Sequence, residues 1–140
     1  MICLLGILSS CSNRHRERVI NEAVAENVIV EKIEIKTTHF NILTPYRIDC
    51  DEFENWADNL CSSYTINNKD TINLFIDIIN ALERDTIGHS IDVRGKVFVF
   101  YSNNQIDTLC INKYLISING KNYINNKLLM ELIEKGQVSN

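Results

Sequence analysis

The chain has 140 residues, a formal net charge of −4 and 45% hydrophobic residues. That length can bury a core but leaves little room for several domains. The mild acidity, with no basic stripe, argues against a nucleic-acid partner.

Ile2–Leu8 is an apolar run about as long as the h-region of a signal peptide, and too short for the ~20 residues that span a bilayer. Leu8-Ser9-Ser10-Cys11 follows. This segment resembles the lipobox of bacterial lipoproteins, where a Leu, two small residues and a Cys mark the cleavage point. The resemblance implies that residues 1–10 are a signal peptide removed on export and that Cys11 carries the lipid. The protein is then anchored to a membrane of the bacterial cell envelope, facing the periplasm or the surface. A lipid on the thiol and an acyl chain on the new amino group would together hold it stably, where one chain binds marginally. No Lys or Arg precedes the run, which departs from the positively charged start of such signals. The alternative for the same residues is an ordinary apolar strand or helix with an incidental cysteine.

Residues 11–27 read as a lipidated tether, polar and charged, with helical character from Glu17 through Ala25. Arg14, Arg16 and Arg18 either touch anionic headgroups, at ~1 kcal/mol each, or remain solvated. The single domain is expected over 28–136, with a disordered tail at 137–140.

Val28–Thr37 alternates as a strand, with Ile29, Ile33 and Ile35 on one face and Glu34 and Lys36 opposite. His39–Ile48 holds the only proline, Pro45, and reads as irregular with a short extended piece at Phe40–Leu43. Asp51 opens a helix whose stripe is Phe53, Trp56, Ala57 and Leu60. Asn67-Asn68 introduces a second helix with Ile72, Phe75, Ile76, Ile79 and Leu82 inward. Leu74 and Ile78 widen that stripe, so the helix is buried over much of its circumference.

Ile91–Tyr101 reads as a strand, apolar on both faces over Val97–Tyr101 and therefore central. Ser102–Gln105 is a hairpin turn and Ile106–Ile111 the return strand. Tyr114–Ile118 and Lys121–Ile124 flank Asn119-Gly120, a type I′ signal because both turn positions need positive φ. Asn125 or Asn126 caps a last helix with Leu128, Leu129, Leu132 and Ile133 inward, ended by Gly136. The class is α+β: a mainly antiparallel sheet of about four or five strands with two or three helices packed on one side. In element order alone this resembles small uncharacterised α+β envelope lipoprotein domains, and is broadly similar to inhibitor or immunity folds.

Of five cysteines, Cys50, Cys61 and Cys110 belong to the domain. Cys50 and Cys61 are closest in sequence and form the candidate disulfide, whereas Cys110, inside a strand pattern, reads as a small buried hydrophobe. No CxxC, GxSxG, HExxH or phosphate loop occurs, so no catalytic residue, metal site or cofactor is assigned. His39 and His89 are too scattered to mark a site.

The densest polar feature is Asp49, Asp51, Glu52, Glu54 and Asp58, beside aromatic Tyr46 and Tyr64. Lacking a turn glycine, it has no calcium-loop grammar. The plainer account is a solvated helix start. The functional account is a surface for a basic protein partner, using Tyr46, Asp51, Glu52, Glu54, Asp58 and Tyr64. Glu52 and Glu54 lie off the apolar stripe, so reversing their charge is expected to leave the fold intact. Asp92, Arg94 and Lys96 alternate on one strand face, expected to meet solvent. The function expected is that of a non-catalytic protein-binding module, an accessory subunit of an envelope assembly. The alternatives are an immunity-type inhibitor of a toxin or hydrolase, and a small hydrolase using a cysteine or the acidic cluster.

Overall fold

The computed structural model describes residues 28–138. The expected signal peptide, Cys11 and the expected tether, residues 1–27, lie outside the described residues. Seven strands form one sheet in the order β2-β1-β4-β5-β6-β7-β3, rather than four or five. Their spans are β1 Val30–Thr37, β2 Ser62–Ile66, β3 Glu83–Arg84, β4 Gly95–Tyr101, β5 Ile106–Ile111, β6 Leu115–Ile118 and β7 Lys121–Ile124. Every neighbouring pair is antiparallel. β2 and β3 account for the excess. β2 carries only Tyr64 and Ile66 as apolar residues, and β3 is a two-residue exposed edge, so neither gives a strong period-two pattern.

The hairpins β4–β5, β5–β6 and β6–β7 follow directly from the turn chemistry. Asn119 and Gly120 adopt φ 51° and 73°, the left-handed pair that the β6–β7 turn requires. β1 pairs with β4, and β2 returns beside β1 at the edge.

Helices α2 (Lys69–Asn80) and α3 (Lys127–Val138) cover one face. Ile33 and Ile35 of β1, Val97 and Val99 of β4, and Leu109 and Ile111 of β5 meet Phe75, Ile79, Leu129 and Ile133, all fully buried. Ile76 and Leu132 pack at the rim of this core, while Leu74 and Leu128 are exposed. Asn68 caps α2 by accepting from Thr71 N at 3.0 Å, and Asn126 caps α3 by accepting from Leu129 N at 2.8 Å. α3 runs past Gly136, where its end was expected. A glycine that near a helix end costs at most about 1 kcal/mol.

The first helix is much shorter than its stripe suggests. α1 spans Phe53–Ala57, and the amides of Leu60 and Cys61 both turn back onto Ala57 O. Leu60 is therefore exposed, and so is Ile29 before β1. No strand forms at Phe40–Leu43, and β4 starts at Gly95 rather than Ile91. A Cβ on Gly95 would lie 2.6 Å from Thr37 Cγ2 and 2.9 Å from Lys36 O, so only glycine lets β1 and β4 approach here.

Candidate binding surface

Strand alternation splits β5. Leu109 and Ile111 face α2 and α3, so Cys110 points to the opposite face. There it meets a second, smaller core of Ile48, Phe53, Ala57 and Val93, with Trp56 and Cys61 at its margin. α1 lies over this face.

The disulfide joins Cys50 to Cys110, not to Cys61, with Cα atoms 5.8 Å apart. The expected Cys50–Cys61 pair fails because the chain entering α1 is drawn onto β5. Cys61 is the free thiol among the described residues, and burial, outweighing nearby Lys36, pushes its pKa up. A raised pKa makes it a poor nucleophile.

Segment 38–48, which joins β1 to α1, is organised by Arg94. That residue was expected in solvent and is only 5% exposed. Its Nη1 and Nη2 donate to Asp92 Oδ1 and Oδ2 at 2.7 and 2.6 Å. Nε donates to Ile42 O at 3.1 Å, Nη2 to Thr44 Oγ1 at 2.9 Å and Nη1 to Val93 O at 2.8 Å. All the guanidinium donors are used. The Trp56 ring lies beneath, 5.4 Å away. Asp92 Oδ1 also accepts from Ile48 N, so the pair pins both ends of the segment. Residues 91–94 are not part of β4, although Arg94 N still donates to Ile111 O.

Lys96, also expected in solvent, is 7% exposed. It stands directly opposite Lys36 in the β1–β4 register. Like charges face to face are destabilising. Glu54 of α1 resolves this, accepting from Lys36 Nζ at 3.1 Å on one oxygen and from Lys96 Nζ at 3.2 Å on the other. The hydrogen bond from Lys36, then that from Lys96, holds the Glu54 carboxyl below its ordinary range.

The six residues assigned to partner binding thus separate. Asp51, Glu52 and Asp58 are exposed around α1, and Tyr46 is exposed on the pinned segment. Glu54 is exposed but engaged by two lysines. Tyr64 is on the other face of the sheet, half-buried, its hydroxyl donating to Ile133 O of α3 at 2.5 Å. Burial raises its pKa.

Sequence reasoning missed a hollow of about 530 Å³ beside this surface. Phe40, Ile42 and Leu43 line one side and Lys113 and Tyr114 the other, with Asp92 and Arg94 also in contact. Elsewhere, buried Asp85 accepts from the amides of Ile87 and His89 and from the His89 ring at 3.1 Å. Burial opposes its charge, but those bonds prevail and its pKa is lowered. No cluster of three metal-ligating side chains occurs among the described residues, and no described helix is long and apolar enough to cross a membrane.

Compared with known proteins, the chain matches no family model, no curated protein and no solved structure.

Proposed function

We propose that this chain is an envelope lipoprotein, lipidated at Cys11, whose domain acts by binding a protein partner rather than by catalysis. The observation that carries the reading is the Cys50–Cys110 bond. Such bonds persist in exported compartments and are rare in a reducing cytosol. An exported domain behind Leu8-Ser9-Ser10-Cys11 is what a lipidated precursor would deliver. The binding surface consists of Tyr46, Asp51, Glu52 and Asp58, exposed on elements fixed by the disulfide and by Arg94. Its charge favours a basic partner. Accessory subunit of an envelope assembly is the role this suits best.

An immunity-type inhibitor is the second reading. It is favoured by residues 39–47, partly exposed between buried Thr38 and Ile48 and tied by Arg94, since pre-organised loops lose little entropy on docking. A cysteine hydrolase is disfavoured, because Cys50 and Cys110 are bonded together and the Cys61 thiol is harder to ionise than usual.

Detergent phase partitioning of the full chain, with and without Cys11→Ala, tests the anchor. Capture from detergent-solubilised membranes, with wild type against Asp51→Lys/Glu52→Lys, tests the surface. Loss of detergent partitioning in the first variant and of a captured protein in the second are expected. Unchanged partitioning in Cys11→Ala with Met1 retained, or no captured protein that the charge reversal releases, would reject the reading.

A further inference from the structure

We propose that the hollow between segment 38–48 and the β5–β6 turn is a recognition site for a carboxylate-bearing apolar group, such as a peptide's C-terminal residue with a large apolar side chain. It is separate from the acidic surface above and takes the opposite charge.

Hydrogen bonds tie down both walls. On one side, Arg94 holds Ile42 O and Thr44 Oγ1. On the other, Asn112 Oδ1 accepts from the amides of Tyr114 and Leu115, both at 2.8 Å, and Asn125 Nδ2 donates to Asn112 O at 2.6 Å. Pre-organised walls make even a modest contact area useful.

The walls expose apolar side chains. Leu43 is 96% exposed and Tyr114 69% exposed, on facing sides of one hollow. Neither belongs to a core cluster, so both are open to contact from outside. A hollow of about 530 Å³ is within the size range of small-molecule and side-chain pockets.

The charge at the site selects the ligand. Arg94 cannot serve an incoming anion, since its donors are spent and its charge is matched by Asp92. Lys113 is different. Its Nζ touches only Asn41 Oδ1 at 3.5 Å and lies 5.8 Å from the Tyr114 ring centroid. Among the described residues no carboxylate pairs with it. The site therefore offers one uncompensated cation beside an aromatic and aliphatic surface, and a carboxylate on an apolar body complements both.

Its position suits display. β1 begins at Val30 and runs eight residues to Thr37. Thr38 N donates to Arg94 O, and Arg94 N to Ile111 O, so the hollow sits at the far end of the strand. That places it roughly 26 Å from where the preceding chain enters the sheet, at ~3.3 Å per residue.

The test titrates the full chain with N-acetyl-phenylalaninate and, separately, with its uncharged primary amide, following backbone amide chemical shifts. Saturable shifts are expected at residues 40–43 and 112–114. The acid should bind about fivefold more tightly than the amide, the upper end of what one exposed ion pair contributes. Lys113→Gln should abolish that preference while leaving the amide's affinity unchanged. Leu43→Ser and Tyr114→Ser should weaken both ligands, and as exposed positions they should leave the remaining spectrum in place. Absence of saturable shifts, shifts confined to other residues, or equal affinity for acid and amide would overturn the proposal. None of these readouts depends on the lipid anchor or on the acidic surface, so either reading can fail alone.

Discussion

Asp92 and Arg94 form a two-pronged ion pair whose partners are unequally exposed: the Arg94 side chain is 6% exposed and the Asp92 side chain 41%. The arginine depends on the aspartate more than the reverse. Removing Asp92 strands a buried cation, whereas removing Arg94 leaves a carboxylate that water can reach.

Asp92→Ala should therefore cost about 3–5 kcal/mol, the loss expected when a buried charge loses its partner. Arg94→Met should cost less, because the methionine still packs on Trp56 and Asp92 hydrates. Urea unfolding of both variants checks the order. In Arg94→Met, amide exchange should rise most between residues 38 and 48, where Ile42 and Thr44 lose their anchor. Equal losses in the two variants would show that the pair is not asymmetric.

The disulfide gives a second expectation. It spans a sequence separation of 60. Closing a loop of that size restricts the unfolded chain by about 4 kcal/mol on the chain-entropy account. Cys110→Ala should lower stability by that order and should free the thiol of Cys50. Cys61→Ala should change stability by far less, since Cys61 lies at the margin of the smaller core. Peptide mapping without reduction should link the Cys50 and Cys110 peptides and leave Cys61 open to alkylation. A Cys50–Cys61 link would refute the arrangement of this face.

These two features also show where reading the sequence stops. β5 and the Asn119-Gly120 hairpin were legible because their signals are local, as was α2 with its Asn68 cap. The Cys50–Cys110 bond was not, because it depends on segment 38–50 folding back onto β5. The alternation that makes Cys110 face away from Leu109 and Ile111 was in the sequence; what waits on that side was not. Arg94 and Lys96 misled for the same reason. A charge alternating on a strand looks solvent-bound until α1 and a loop cover that face. The acidic helix start was legible as a cluster, but which acid would be spent within the fold required the register that sets Lys36 opposite Lys96.

Glu54 follows from that register. It was expected to tolerate charge reversal, and instead it separates two lysines. Glu54→Gln should cost up to about 1 kcal/mol, since the pairs are partly exposed, and Glu54→Lys should cost more by placing three cations together. The pH dependence has a definite sign. The folded pKa of Glu54 is depressed, so its contribution is complete above the unfolded value of about 4.3 and is lost as pH falls through the lower folded value. Wild type and Glu54→Gln should thus differ at pH 7 and converge as pH falls below the depressed folded value. A gap that persists at low pH would mean that Glu54 acts by packing.

The acidic surface yields a kinetic expectation. Asp51, Glu52 and Asp58 are exposed, and none of them pairs with a cation in the structure described. Charges of this kind act at a distance, drawing a basic partner in, and contribute little once contact is made. Reversing Asp51 and Glu52 together should slow association by at least several-fold while leaving dissociation nearly unchanged. Raising salt from 0.05 to 0.5 M should reduce the wild-type association rate toward that of the variant, because screening contracts the field to a few ångströms. The thermal unfolding midpoint should not move by more than a degree or two, in contrast to Glu54→Lys. Stopped-flow or surface-binding kinetics with the captured partner separates the two rates. An association rate indifferent to both reversal and salt would remove α1 from the interface.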